Sequence, residues 1–262
     1  MAVQSTPHQI TEQKTFSERL QSFPWWLLII VAALIFMAFQ ISINPEYAKA
    51  FDAIIPGIKL TVGTTIASFI GALVIGLLAG LGRISSNFVL RNLAITYIEF
   101  IRGVPILVLI FTVAFVFVPL VTDLTGIKVD KTMRPVVALA IIYGAYLAEV
   151  FRAGIESVSK GQMEAARSLG MTHTQAMMYI ILPQAVRNML PALGNDFIAL
   201  LKDSSLVSVL AVRDITQQAR LYAGSTFRFR ETYLVLTFLY LVMTILLSLF
   251  LQWYQRWLSK DE

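Results

Sequence analysis

The sequence predicts an all-α integral membrane protein with six transmembrane helices. Three observations predict it. Of 262 residues, 57% are hydrophobic and only 14% are charged, where a soluble domain carries about 25% charged residues. The mean hydropathy of +0.71 is too high for a disordered chain. Charge-free runs recur along the chain at lengths that match a bilayer core of about 30 Å, which needs roughly 20 apolar helical residues. A net charge of +5 raises the question of nucleic acid. With so few charges in all, it fits the basic loops of a membrane protein better, and no nucleic-acid partner is expected.

The elements follow in chain order. Residues 1–23 read as a short polar tail. The first span covers 24–45, with its apolar heart at Trp25–Ile43; its charged lead-in is long and no small-residue cleavage pattern follows, so it reads as a span rather than a signal peptide. Trp25 and Trp26 suit an interfacial aromatic belt, as do Trp253, Tyr254 and Trp257 at the end of the last span. Further spans are expected at 60–82, 103–122, 135–148 (continuing as a helix through Arg152) and 232–255. The remaining candidate, 191–212, is interrupted by Asp196, Lys202 and Asp203. These spans occupy about half of the chain, which leaves no room for a separate soluble domain. Basic residues divide almost evenly between the two sides, so charge alone does not orient the chain.

The chain lacks cysteine and holds only His8 and His173, so no metal site and no catalytic set is expected. The segment 152–187 is too long for a simple connection. Ser159 with Gln162 fits a capping box that opens a short helix, and Gly170 ends it. Thr172 with Gln175 fits a second capping box, and that helix is expected to stop at Pro183. Arg167 follows Glu164 by three residues on one face. Capping and periodicity alone leave two readings open: an interfacial helix lying on lipid, or a small-residue surface for another protein.

The spacing Glu164-Ala165-Ala166, then Gly170, then Ile180-x-Leu182-Pro183 resembles the EAA signature of permease subunits of bacterial ATP-binding-cassette importers. From about residue 58 to 257 the chain is similar to the polar amino acid subfamily (His/Glu/Gln/Arg-type). Glu99-Phe-Ile-Arg-Gly-Val-Pro105, Tyr146-Leu-Ala-Glu-Val-Phe-Arg-Ala-Gly-Ile155 and Leu200-Leu-Lys-Asp-Ser-Ser-Leu-Val-Ser208 carry that likeness. The resemblance implies a five-helix permease domain at 54–257, with the helix at 24–45 as an addition. It places the 152–187 loop in the cytoplasm, with its coupling helix docked on an ATPase through Glu164, Ala165, Ala166 and Gly170. It further implies two copies of the ATP-binding subunit, which holds ATP and Mg, a second permease chain (identical or homologous) and an extracytoplasmic solute-binding protein. The setting would be the bacterial inner membrane with both termini cytoplasmic, and this chain would bind no cofactor itself.

Charges within the spans need a partner or a cavity. Glu99 and Arg102 can pair three residues apart, while Glu149, Arg152 and Glu156 stack on one helix face. These sets are either structural ion pairs or a gate. Asn195 and Lys202 share one face, and Asp196 and Asp203 form a stripe beside it. With Ser204, Ser205 and Ser208 they read as the wall of a polar path that suits a zwitterionic solute. Gly76-x-x-x-Gly80 reads as close helix packing or a dimer contact. The leading function is a transport subunit without a phosphate-binding loop of its own. An ion-gradient-driven amino acid transporter is the alternative, and a membrane-embedded enzyme ranks last.

Overall fold

The structure, a computed structural model, describes residues 25–258, so the expected tail at 1–23 lies outside the described residues. Five described helices are long and apolar enough to cross a membrane: Trp25–Ile43, the bent run Pro45–Arg83, Ile106–Thr125, Met133–Glu156 and Phe229–Trp257. We number the elements α1 (Trp25–Ile43), α2 (Pro45–Ile54), α3 (Ile58–Arg83), α4 (Phe88–Gly103), α5 (Ile106–Thr125) and α6 (Met133–Glu156). Then come α7 (Lys160–Ser168), α8 (His173–Ala176), α9 (Leu182–Asp203), α10 (Ile215–Thr226) and α11 (Phe229–Leu258).

The expected crossing at 191–212 takes a different form. α9 runs to Asp203, a tighter 3-10 stretch follows over Ser204–Leu210, and Ala211 then adopts a left-handed backbone at φ 56°. Arg187, Asp196, Lys202 and Asp203 keep α9 out of the apolar group. α2, α4 and α10 fall outside the expected spans. Each is short or amphipathic, with Asn44, Asn87 and Asp214 as N-caps accepting from the first-turn N–H groups. Between α4 and α5 the chain breaks at Gly103-Val104-Pro105. Val104 is extended at φ −115°, ψ 139°, because a proline excludes its predecessor from the helical region.

Two helices contain one wide turn each, Val113–Phe117 within α5 and Met177–Ile181 joining α8 to α9. Each stands just before a proline, Pro119 or Pro183. A proline lacks its N–H and crowds the carbonyl four residues back, and a π-type turn absorbs that mismatch without ending the helix. The expected stop at Pro183 is thereby corrected: the helix passes through it.

α6 is the central post, with Leu139, Ile142, Ala145, Leu147 and Ala148 fully buried. α3 packs along its length. A Cβ added at Gly76 would stand 2.8 Å from Leu147 Cβ and 3.0 Å from the Gly144 carbonyl, and one at Gly80 would stand 2.9 Å from the Ala148 carbonyl. The glycines therefore serve packing inside one chain, which settles the choice left open above. A second cluster joins α2, α10 and α11 through Tyr47, Ala50, Ile54, Ile215, Ala219, Val235 and Leu239. α1 has no buried residue and leans on this cluster through Met37 and Ile41.

Candidate coupling loop and translocation path

α7 projects from the end of the bundle where α6 finishes. Its N-cap is Ser159, whose hydroxyl accepts from Gly161 N at 3.3 Å. The expected reciprocal box with Gln162 is not formed, because Ser159 reaches the second helical N–H rather than the third. The C-terminus closes as a Schellman motif: Gly170 N donates to the Arg167 carbonyl at 3.0 Å and Met171 N to the Ala166 carbonyl at 3.2 Å. Gly170 sits at φ +83°, where a side chain is strained. The box at Thr172 and Gln175 forms in both directions, at 3.2 and 2.8 Å.

Within α7, Ala166 is buried against the following π turn, while Glu164, Ala165 and Gly170 face outward. Glu164 and Arg167 are both exposed, and no ion pair joins them or ties either to another described residue. Residues that sequence reasoning passed over stand beside them: Leu169 is 83% exposed and Tyr179 71%. Leu169 directly precedes the chain-reversing glycine, the one local signal that it would point outward.

Just above this loop a set of half-buried and exposed charges assembles. Arg83, in the last turn of α3, pairs with Glu149 at 2.9 Å and Glu99 at 3.3 Å. Arg152 pairs with Glu149 at 3.0 Å and also with Glu156. Glu149 is thus the hub for two guanidinium groups from two helices. Glu99 meets Arg83 rather than Arg102, which lies exposed at the end of α4. The network staples the ends of α3, α4 and α6 together. Arg83 escaped the sequence reading because its partners lie on other helices.

The expected path residues on α9 separate into two directions. Asn195 and Lys202 are exposed on one side. Lys202 lines a groove of about 460 Å³ with Ser205, Thr216, Thr237, Tyr240 and Thr244, where the Thr216 and Tyr240 hydroxyls lie 2.9 Å apart. Asp203 turns the other way and accepts from the Tyr143 hydroxyl of α6 at 2.7 Å. Asp196 is half-buried on that stripe. Ser204 is buried and donates to the Leu201 carbonyl at 2.7 Å, so its hydroxyl closes the helix end instead of facing the groove. Tyr143 carried no signal, being one tyrosine in an apolar run. Among the described residues no His, Cys, Asp and Glu group could hold a metal ion.

Residues 72–261 match the family described as "Binding-protein-dependent transport system inner membrane component". The chain belongs to that family. It is 39% identical over 212 residues to the probable amino-acid permease protein YxeN of Bacillus subtilis (strain 168), covering 81% of this chain and 94% of the relative. It is 36% identical to the glutamine transport system permease protein GlnP of Escherichia coli (strain K12), covering 79% and 93%. A crystal structure described as an amino acid ABC transporter with histidines superposes with a TM-score of 0.72 at 40% identity, covering 80% of this chain and 95% of that one. The MetNI methionine ABC transporter in an inward-facing form shares the fold alone, at TM-score 0.65 and 18% identity. As a family member the chain is a transport component of the inner membrane. Nothing in these likenesses supports an ion-gradient-driven transporter.

Proposed function

We propose that this chain is the transmembrane permease subunit of an ATP-binding-cassette importer for polar amino acids. Two ATP-binding subunits, a second permease chain and an extracytoplasmic solute-binding protein complete the complex. ATP and Mg are held by the ATPase subunits and supply the driving energy there; this chain carries no ATPase site. Both termini and the 152–187 loop face the cytoplasm.

The observation that carries this reading is α7. It is a short helix held rigidly at both ends by its caps, yet it presents Glu164, Ala165 and Leu169 outward from the foot of the bundle. A partner that grips α7 acts on α6 through Ser157, whose hydroxyl donates to the Gly154 carbonyl and accepts from Asn188 of α9 at 2.8 Å. Movement of α7 therefore reaches both α6 and α9, the two helices that meet through Tyr143 and Asp203 in the path. Asn195, Asp196, Lys202, Asp203 and Ser205 supply polar groups of both signs, as a zwitterion requires. Alternating access follows if the ATPase dimer stabilises one arrangement of these helices over the other.

Glu164→Arg tests the reading. Transport by the reconstituted complex should fall at least about tenfold, with ATPase subunits co-purifying less well. Affinity for the solute-binding protein should stay at the wild-type value. Uptake at the wild-type rate would remove α7 from the contact.

A further inference from the structure

At the opposite end of the bundle from α7, the mouth of the protein is a groove of about 640 Å³ between the start of α6 and the turn that leads into α10. α6 separates the two ends by about 36 Å, at 1.5 Å per residue. Lys131, Arg134 and Arg213 line the groove together with Leu60, Phe115 and Leu210, and no acidic side chain lines it. None of the three cations forms an ion pair with a described carboxylate. The acids nearest in sequence lie outside the lining. Asp130 accepts from Thr132 N at 3.1 Å and from the Thr132 hydroxyl, and these bonds, with the Lys131 charge beside it, hold its carboxyl below the usual range. Asp214 is buried and caps α10 by accepting from Gln217 N at 2.8 Å. Arg134 is half-buried; its Nε is buried without a hydrogen-bond partner, and one Nη reaches the Ala114 carbonyl only at 3.5 Å.

A guanidinium N–H shut away from water without an acceptor is costly, and a carboxylate is the acceptor whose planar geometry fits it. The groove has one sign of charge. A zwitterionic amino acid placing its carboxylate on Arg134 would bring its ammonium among Lys131 and Arg213, with no acid in the lining to receive it. An acidic side chain on a protein surface brings no such ammonium. We propose that this groove is the docking socket for an acidic side chain of the solute-binding protein on which this family depends. The inference rests on the orientation and partner set argued above, which put this mouth on the side away from the ATPase.

The test uses the full complex in nanodiscs and measures the Kd of the solute-loaded binding protein at low and high salt. Lys131 and Arg213 are exposed and make no ion pair among the described residues, so Lys131→Gln and Arg213→Gln should assemble as wild type does. Each should raise Kd about three- to tenfold at low salt and flatten the salt dependence. Arg134→Gln should do so more strongly, with Arg134→Lys partly restoring the salt dependence. Unchanged Kd and salt dependence in Lys131→Gln and Arg213→Gln would overturn the socket while leaving the importer reading intact. An altered KM for solute with unchanged Kd would overturn it too, by assigning the groove to the solute. A wild-type complex that binds no such protein would overturn both readings together.

Discussion

Glu149 joins two arginines from different helices, and the consequence is energetic. Side chains of Arg83, Glu149 and Arg152 are each less than a third exposed. Removing Glu149 takes the shared partner from both arginines and leaves Arg83 only the exposed Glu99 and Arg152 only the exposed Glu156, at a cost below the roughly 3–5 kcal/mol of breaking a fully buried pair. Glu149→Gln should therefore lower the thermal midpoint of the detergent-solubilised chain by several degrees. Glu99→Gln, at the exposed rim with a 60% exposed side chain, should move it far less. Equal shifts for the two would show that Glu149 is no hub. The residue scale is also where the sequence was least legible. Spacing along a helix suggested Glu99 with Arg102, but Arg83 approaches from another helix and takes that carboxylate. Likewise the adjacent residues Lys202 and Asp203 diverge, one to a hydroxyl-lined groove and the other to Tyr143.

At the scale of elements, hydropathy located every long apolar helix, since bilayer thickness fixes their length. It missed α2 and α10, which are short, mixed in polarity and defined by caps and by a second core cluster rather than by length. Capping chemistry fixed the ends of α7 at Ser159 and Gly170, although the bond at Ser159 differs from the one expected. Proline read as a stop at Pro183, whereas the wide turn before it lets the helix continue. The α3–α6 pair makes a sharp comparison possible within a single helix. Gly76 faces backbone and Leu147 at under about 3 Å, while a Cβ at Gly63 would meet nothing within 4 Å. Gly76→Val should destabilise by about 1–3 kcal/mol through forced separation of α3 from α6. Gly63→Val should leave the unfolding midpoint of the solubilised chain near the wild-type value. A harmless Gly76→Val would mean that α3 and α6 do not pack as closely as described.

Across the whole molecule, the arrangement is a post, α6, with α7, the proposed handle, at one end and a cationic groove at the other. The polar groups of the proposed path lie on α9. α1 stands apart from this machinery, apolar around its full circumference with no residue buried, as a helix facing lipid or another chain would be. The placement of the handle relative to the bilayer is the claim on which the transport account turns. The chain has no native cysteine, so Ala165→Cys introduces a single reporter at an exposed position of α7. Labelling by a membrane-impermeant maleimide in vesicles of each orientation measures that placement directly. Inside-out vesicles should label, and bound ATPase subunits should protect the thiol. Labelling from the extracytoplasmic side, or labelling indifferent to the ATPase, would contradict the account.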